Sequence, residues 1–172
     1  MSKNKHYINN QDFLQALVKY KEDKLSNPNT SIPNYIGECF MKIAEGLSHK
    51  PGFINYPHRE EMIGDGIENC LQYFENFDPS KSKNPFAYFT QIIYFAFVRR
   101  IQREKKQLYI KYKSTQQMGI LDEYEMLDFE DGTNKQFEMY DNISEYIDKY
   151  ENAKKKKKTV KKVKGLEKFL DQ

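Results

Sequence analysis

Little in this chain belongs to catalysis or export. Histidine occurs three times, cysteine twice and tryptophan never. His6, His49 and His58 lie in or beside loop-like stretches, with no paired Cys or Asp spacing, so neither a metal site nor a nucleophilic triad is expected. No glycine-rich phosphate loop is present; the "GDG" of Gly64–Gly66 reads as part of a helix. Cys39 and Cys70 both fall inside apolar helical patterns, as expected of buried thiols in a reducing compartment. The N-terminal "MSKNKHYINN" has no apolar run, so no signal peptide is expected. No stretch approaches the ~18 continuous apolar residues of a membrane span. These features predict a cytoplasmic protein that is not an enzyme, with no cofactor, no metal and no small-molecule substrate. Net charge is only +3, so no global field announces a nucleic-acid partner; the local distribution says more.

The chain has 172 residues, enough for one domain plus tails. Charged residues are 31%, apolar residues 38% and aromatic residues 15%, a high share made of 13 Tyr and 12 Phe. Four segments carry a helical period. The first runs from about Asn10 to Leu25, with Phe13, Leu14, Leu17 and Val18 on one face, and ends at "NPNTSIPN". The second runs from about Asn34 to Ser48, with Ile36, Phe40, Ile43 and Leu47 aligned, and ends at "HKPGFINYP". The third begins near Pro57 or His58; Met62, Ile63, Ile67, Cys70, Leu71 and Phe74 form its stripe. It stops before the turn-rich "DPSKSKNP". The fourth begins at Asn84, a suitable N-cap, followed by Pro85, which fits a first helical turn because its missing N–H costs nothing there. No strand-like alternation competes. The expected fold is all-α, a compact helical bundle over residues 8–113 with an extended C-terminal tail.

The second half differs. Between Leu121 and Glu151 there are eleven acidic residues against two lysines. A period survives in Phe137, Tyr140, Ile143, Tyr146, Ile147 and Tyr150, which predicts a helix near 136–151 in a partly helical acidic segment, 114–152. The low-complexity "AKKKKKTVKKVKG" follows and predicts a disordered basic tether over 153–165. The chain then closes on an apolar cluster, "LEKFLDQ", residues 166–172, where terminal residues are more often polar and frayed.

The fourth segment holds rings to spare. Phe86, Phe89, Ile93, Ala96 or Phe97, and Ile101 follow the core spacing. A second stripe, Tyr88, Gln91, Phe95, Arg99, Gln102 and Lys106, mixes rings, amides and cations. That inventory suits DNA: rings stack on bases, amides meet base edges, and arginine and lysine neutralise phosphates. Between Arg99 and Lys113 there are seven basic residues against one acid, Glu104. Such a cluster makes binding strongly salt-dependent. A helix buried on two sides, with basic residues near its end, fits the same pattern; the residues alone leave both readings open.

The stretch from Glu61 to Lys106 resembles the promoter-binding core of bacterial sigma factors. It carries "EMIGDG", then "FENFDPSKSKNPFAYFTQ", then "FVRRI", without a gap. With "MKIAEGLS" before it and the basic tether ending in "LEKFLDQ", the chain resembles the late-transcription sigma factors of T-even-like bacteriophages. The resemblance implies three partners: host core RNA polymerase, through the coiled coil of its beta-prime clamp; promoter DNA; and the phage DNA polymerase sliding clamp. It implies a place in the cytoplasm of an infected host, on the nucleoid. Glu61, Asp65 and Leu71 stand at the polymerase-contact positions, with Gly64 and Ile67 beside them. Tyr88 matches the tyrosine that stacks on a flipped adenine of the minus-ten element. Gln91 and Ile92 fall where primary sigma factors carry two tryptophans, so wedging is left to Ile92. Phe95, Val98 and Arg99 stand where the family reads the upstream edge of that element; Phe95 replaces a hydrogen-bonding residue and suits a thymine methyl. Arg103 follows on the same helix, and Lys81 and Lys83 lie in the linker that follows the melted strand.

Primary sigma factors carry a later helix-turn-helix that reads upstream DNA. No such pair is legible after Lys113; the acidic segment and lysine run occupy that space. Leu166, Phe169 and Leu170 match the apolar positions of the family's clamp-binding motif, and a short helix folding back on the core is the plainer alternative for this tail. For the whole chain, the alternative is a non-sigma adaptor that bridges polymerase or clamp and grips DNA without promoter recognition.

Overall fold

The computed structural model describes residues 8–118 and 141–155, and every regular element among them is helical. The chain falls into two compact units, Met1–Gln102 and Arg103–Gln172. The division lies inside the last long helix, eleven residues before the boundary expected at 113, so each part of that helix is taken with its own unit.

In the first unit, α1 (Asn10–Ser26) starts where the Asn9 side chain accepts from the Gln11 N–H, 3.0 Å away. Helix α2 (Asn34–Ser48) follows Pro33 and buries Ile36, Cys39, Phe40, Ile43, Ala44 and Leu47. Helix α3 (Arg59–Tyr73) runs into a 3-10 turn at Phe74–Asn76. Helix α4 (Pro85–Gln117) begins as expected: the Ala87 N–H donates to Asn84 Oδ1 at 3.0 Å, and Pro85 occupies its first position. The core is a cluster of phenylalanines. Phe89 lies 4.7 Å from Phe40, 5.5 Å from Phe13 and 5.8 Å from Phe77 between ring centres, in the tilted arrangements aromatic pairs prefer. Phe53, inside the break between α2 and α3, is also buried, edge-on to Phe97 at 5.2 Å.

Two expected apolar stripes shift. On α1 the buried residues are Phe13, Leu17 and Tyr20, with Leu14 and Val18 half-buried. On α3 they are Met62, Gly66 and Cys70, while Leu71 is exposed and Ile63 and Ile67 are half-buried. Gly66 explains the rotation. A Cβ there would stand 2.9 Å from Phe97 Cε1 and 3.0 Å from Ile93 Cγ2, so α3 meets α4 at its glycine, and bulkier neighbours turn outward.

In the second unit, residues 141–155 form α5. The helix continues through Lys155, so Ala153, Lys154 and Lys155, assigned from sequence to the basic tether, are helical. Alanine is the best helix former, and lysines suit a helix C-terminus. Ile143 and Ile147 are buried, Tyr109 stacks on Tyr150 at 4.4 Å, and Tyr112 meets Tyr146 edge-on at 5.4 Å.

Candidate functional site

Two outward helix faces of the first unit carry the residues singled out from sequence. The α3 face presents Glu61, Gly64, Glu68 and Leu71, all exposed, spaced to share one side of the helix. Glu61 also lies 3.8 Å from His58 Nδ1, and acids in a first turn suit the helix N-terminus. A Cβ at Gly64 would meet nothing within 4 Å, so this glycine leaves a flat, open spot. Two of the expected polymerase-contact residues sit differently. Ile67 is half-buried, and Asp65 is engaged inside the protein: its Oδ2 accepts from Arg100 NH1 at 3.0 Å.

The α4 face presents Gln91, Phe95 and Arg99, exposed, beside half-buried Tyr88, Ile92 and Val98. Tyr88 rests on the core: its ring lies 5.2 Å from Phe77 and 5.1 Å, edge-on, from Phe89. Core rings therefore hold it in place without covering it fully. Phe95 is 49% exposed, far more than a core phenylalanine. Arg99 NH2 donates to Asn69 Oδ1 of α3 at 2.6 Å. Arg103 belongs to the second unit and is exposed there.

The linker that precedes α4 is built by its own side chains. Asp78 accepts from the Ser80 N–H at 2.9 Å and from Ser80 Oγ at 2.7 Å, and these bonds hold its carboxyl below the usual value. Asn10 Nδ2 donates to the Lys83 carbonyl at 3.2 Å, and Asn10 Oδ1 accepts from the Phe86 N–H at 3.2 Å, which ties the linker to the start of α1. Lys81 and Lys83 are exposed; Lys81 lies 3.5 Å from Asp78. Lys21 donates to the carbonyls of Glu75 and Phe77 just upstream, and Lys24 pairs with Glu75.

Three residues escaped the sequence reading. Asn69 and Arg100 make cross-helix bonds to partners 30 and 35 positions away, a separation with no periodic signature. Tyr94 is 45% exposed and lies 5.7 Å from Phe95 and 5.8 Å from Phe53, each edge-on. Its signal was available, because it belongs to neither of the two α4 stripes. Leu166, Phe169 and Leu170 lie outside the described residues.

Among the described residues no group of His, Cys, Asp and Glu could hold a metal ion, and no helix is long and apolar enough to cross a membrane. Burial pushes the Cys70 thiol up to about 12 and raises Cys39 as well, so neither is a thiolate at neutral pH. Tyr35 is likewise pushed up to about 12 by burial. No protein-family model matches the chain, and no curated protein is similar to it.

Proposed function

We propose that this protein is a sigma-type factor that directs a bacterial core RNA polymerase to TATA-like late promoters of a bacteriophage, with a sliding clamp engaged through the C-terminal Leu166, Phe169 and Leu170. The observation that carries the reading is the α4 face. Exposed Gln91, Phe95 and Arg99 stand in one row with Tyr88, Ile92 and Val98, and a helix that needed these residues only for packing would bury Phe95. The row combines a ring set against the core, an amide, an apolar wedge and a cation, which are the groups that stack on, read and neutralise DNA. The α3 face supports the polymerase half of the reading. Acids beside exposed Leu71 suit a partner surface that is basic and partly apolar.

Run-off transcription on TATA-bearing templates with host core polymerase tests the reading. Specific starts that depend on this protein are expected. A DNA shift with no specific start identifies a non-sigma adaptor instead. The polymerase face is best probed by Glu61→Lys and Leu71→Asp, because Asp65→Lys would also break the internal pair with Arg100. Either variant should weaken core binding by at least ~1.4 kcal/mol, or ten-fold. Tyr88→Ala should leave core binding intact and impair strand opening in permanganate footprinting, since base stacking is worth ~1–3 kcal/mol.

A further inference from the structure

Helix α3 holds two consecutive arginines of α4. Asp65 and Asn69 lie one turn apart, and their side chains take Arg100 and Arg99 respectively. Gly66 lies between them, at the point where α3 has no room for a Cβ against Phe97 and Ile93. The two helices are therefore in close contact where the arginines leave α4, and a close packed contact resists sliding.

Asn69 is itself fixed. Its Nδ2 donates to the Asp65 carbonyl at 2.7 Å, so its Oδ1 is the atom turned to Arg99. This amide orientation is the one the network requires, because a guanidinium has only donors to offer. Asn69 is half-buried, and the neighbouring Asp65–Arg100 pair has side chains only 29% and 21% exposed. Arg99 by contrast is exposed. Its guanidinium is anchored at NH2 while the residue as a whole stays exposed.

An arginine used for recognition gains from such an anchor. A free arginine side chain samples many rotamers and must give them up on binding, whereas one already held in a fork-shaped pose loses less. We propose that Asn69 is a positioning residue that presents the Arg99 guanidinium to acceptors of the promoter duplex. Asn69 touches no DNA itself; it acts through Arg99. The proposal rests on the reading of α4 as a DNA-facing helix. It also gives Asp65 and Asn69 distinct tasks: Asp65 fixes the helix pair through Arg100, and Asn69 sets the direction of Arg99.

The test uses the full chain bound to core RNA polymerase and a fluorescein-labelled TATA-bearing duplex, with affinity read by anisotropy. The variants are Asn69→Ala, Asn69→Leu, Arg99→Ala and the double variant Asn69→Ala with Arg99→Ala. Leucine keeps the volume and favours helix, so it separates the lost amide from lost packing. Each Asn69 variant is expected to weaken DNA binding roughly three- to ten-fold while core binding and the thermal midpoint stay put. In the Arg99→Ala background, Asn69→Ala should add nothing, because the group it positions is gone. If Arg99→Ala weakens binding but the Asn69 variants do not, the positioning role is wrong and the DNA-facing helix stands. An equal loss in both backgrounds also overturns the proposal, since Asn69 would then act through packing. If Arg99→Ala binds like the unaltered protein, the DNA reading of α4 fails and this inference fails with it.

Discussion

The two stretches of α4 are held by different physics. Pro85–Gln102, in the first unit, buries Phe89, Ile93, Ala96 and Phe97 among phenylalanines of α1, α2 and the 77 position. Arg103–Gln117, in the second unit, has no fully buried residue among those described. Its partners on α5 are reached through tyrosines and polar atoms: Tyr146 OH donates to the Lys105 carbonyl at 3.1 Å, Tyr109 OH to Glu151 at 2.9 Å, and Lys113 lies 3.6 Å from Glu151. Among the described residues of this unit, Ile143 and Ile147 are the buried aliphatic side chains. An unbroken helix thus says nothing about uniform stability along it. The first stretch rests mainly on area removed from water, which salt does not screen; the second, among its described residues, rests largely on partly exposed polar contacts worth little each. Opening of the second unit should cost less than opening of the first.

Substituting Phe89 should give the largest effect. The ring is fully buried and touches three other phenylalanines, so Phe89→Ala should cost about 3–5 kcal/mol in urea denaturation followed by helical circular dichroism. A loss below about 1 kcal/mol would mean that the aromatic cluster does not hold the first unit. Next comes Ile147→Ala, at about 2 kcal/mol, the low end for aliphatic truncation because few buried side chains stand in its unit among the described residues. Its signature is local: amides of 141–155 should exchange faster while those of α1–α3 keep their protection. Equal acceleration everywhere would show that the two units unfold as one.

A third effect belongs to the first unit alone. The Cys70 thiol is held near 12 by burial, against an ordinary value of 9.0. Below about pH 9 both folded and unfolded chains keep the proton and pH has no hold on stability through this group. Above it the unfolded thiol ionises first, so stability is lost as pH rises, by up to about 1.4 kcal/mol per pH unit until the folded value is reached. Tyr35, raised from 10.0 to about 12 but 38% exposed, acts with the same sign and more weakly, because water screens it. Urea midpoints measured between about pH 8 and about pH 11 should fall, and Cys70→Ala should flatten the lower part of that slope. A slope unchanged by the substitution would assign the effect elsewhere.

Most of this architecture was legible in the sequence where local chemistry decides it. Asn84 and Pro85 announce the start of α4, and the prolines around residues 28–33 and 51–57 mark the breaks. The bounds of α2 were read directly from its apolar period. Periodicity failed where one element sets the rotation of another. Leu71 fits an apolar stripe but lies outside, because α3 turns Gly66 to the Phe97 and Ile93 side chains of α4, and a glycine adds nothing to a hydrophobic pattern. Phe53 is buried although it sits among turn residues, since a ring from a loop can plug the core without any period. The candidate site was legible as two stripes, but not the internal role of Asp65, whose partner Arg100 is 35 positions away. Charge patterns within one helix reveal i, i+4 pairs; they are blind to pairs between helices.

The smallest expected effect tests the polar half of the comparison. Tyr109→Phe removes the hydroxyl that donates to Glu151 and keeps the ring stacked on Tyr150. In the folded protein this hydrogen bond, with Lys113 as a lesser contribution, holds the Glu151 carboxyl below its usual value, while the same bond raises the Tyr109 phenol. A carboxyl whose folded value is lowered stabilises the fold above its unfolded value and ceases to do so as pH falls through the folded value. With the hydroxyl gone, the Glu151 titration in carbon NMR should move up toward the ordinary carboxylate range. Global stability should change little, because the contact is only partly buried and is screened by salt and water. Raising salt should then weaken what remains of the Lys113–Glu151 pair, 3.6 Å apart, without altering the ring stack. If the Glu151 titration is identical in the variant, the hydroxyl does not bond to Glu151 in solution, and this contact is no part of what holds α5.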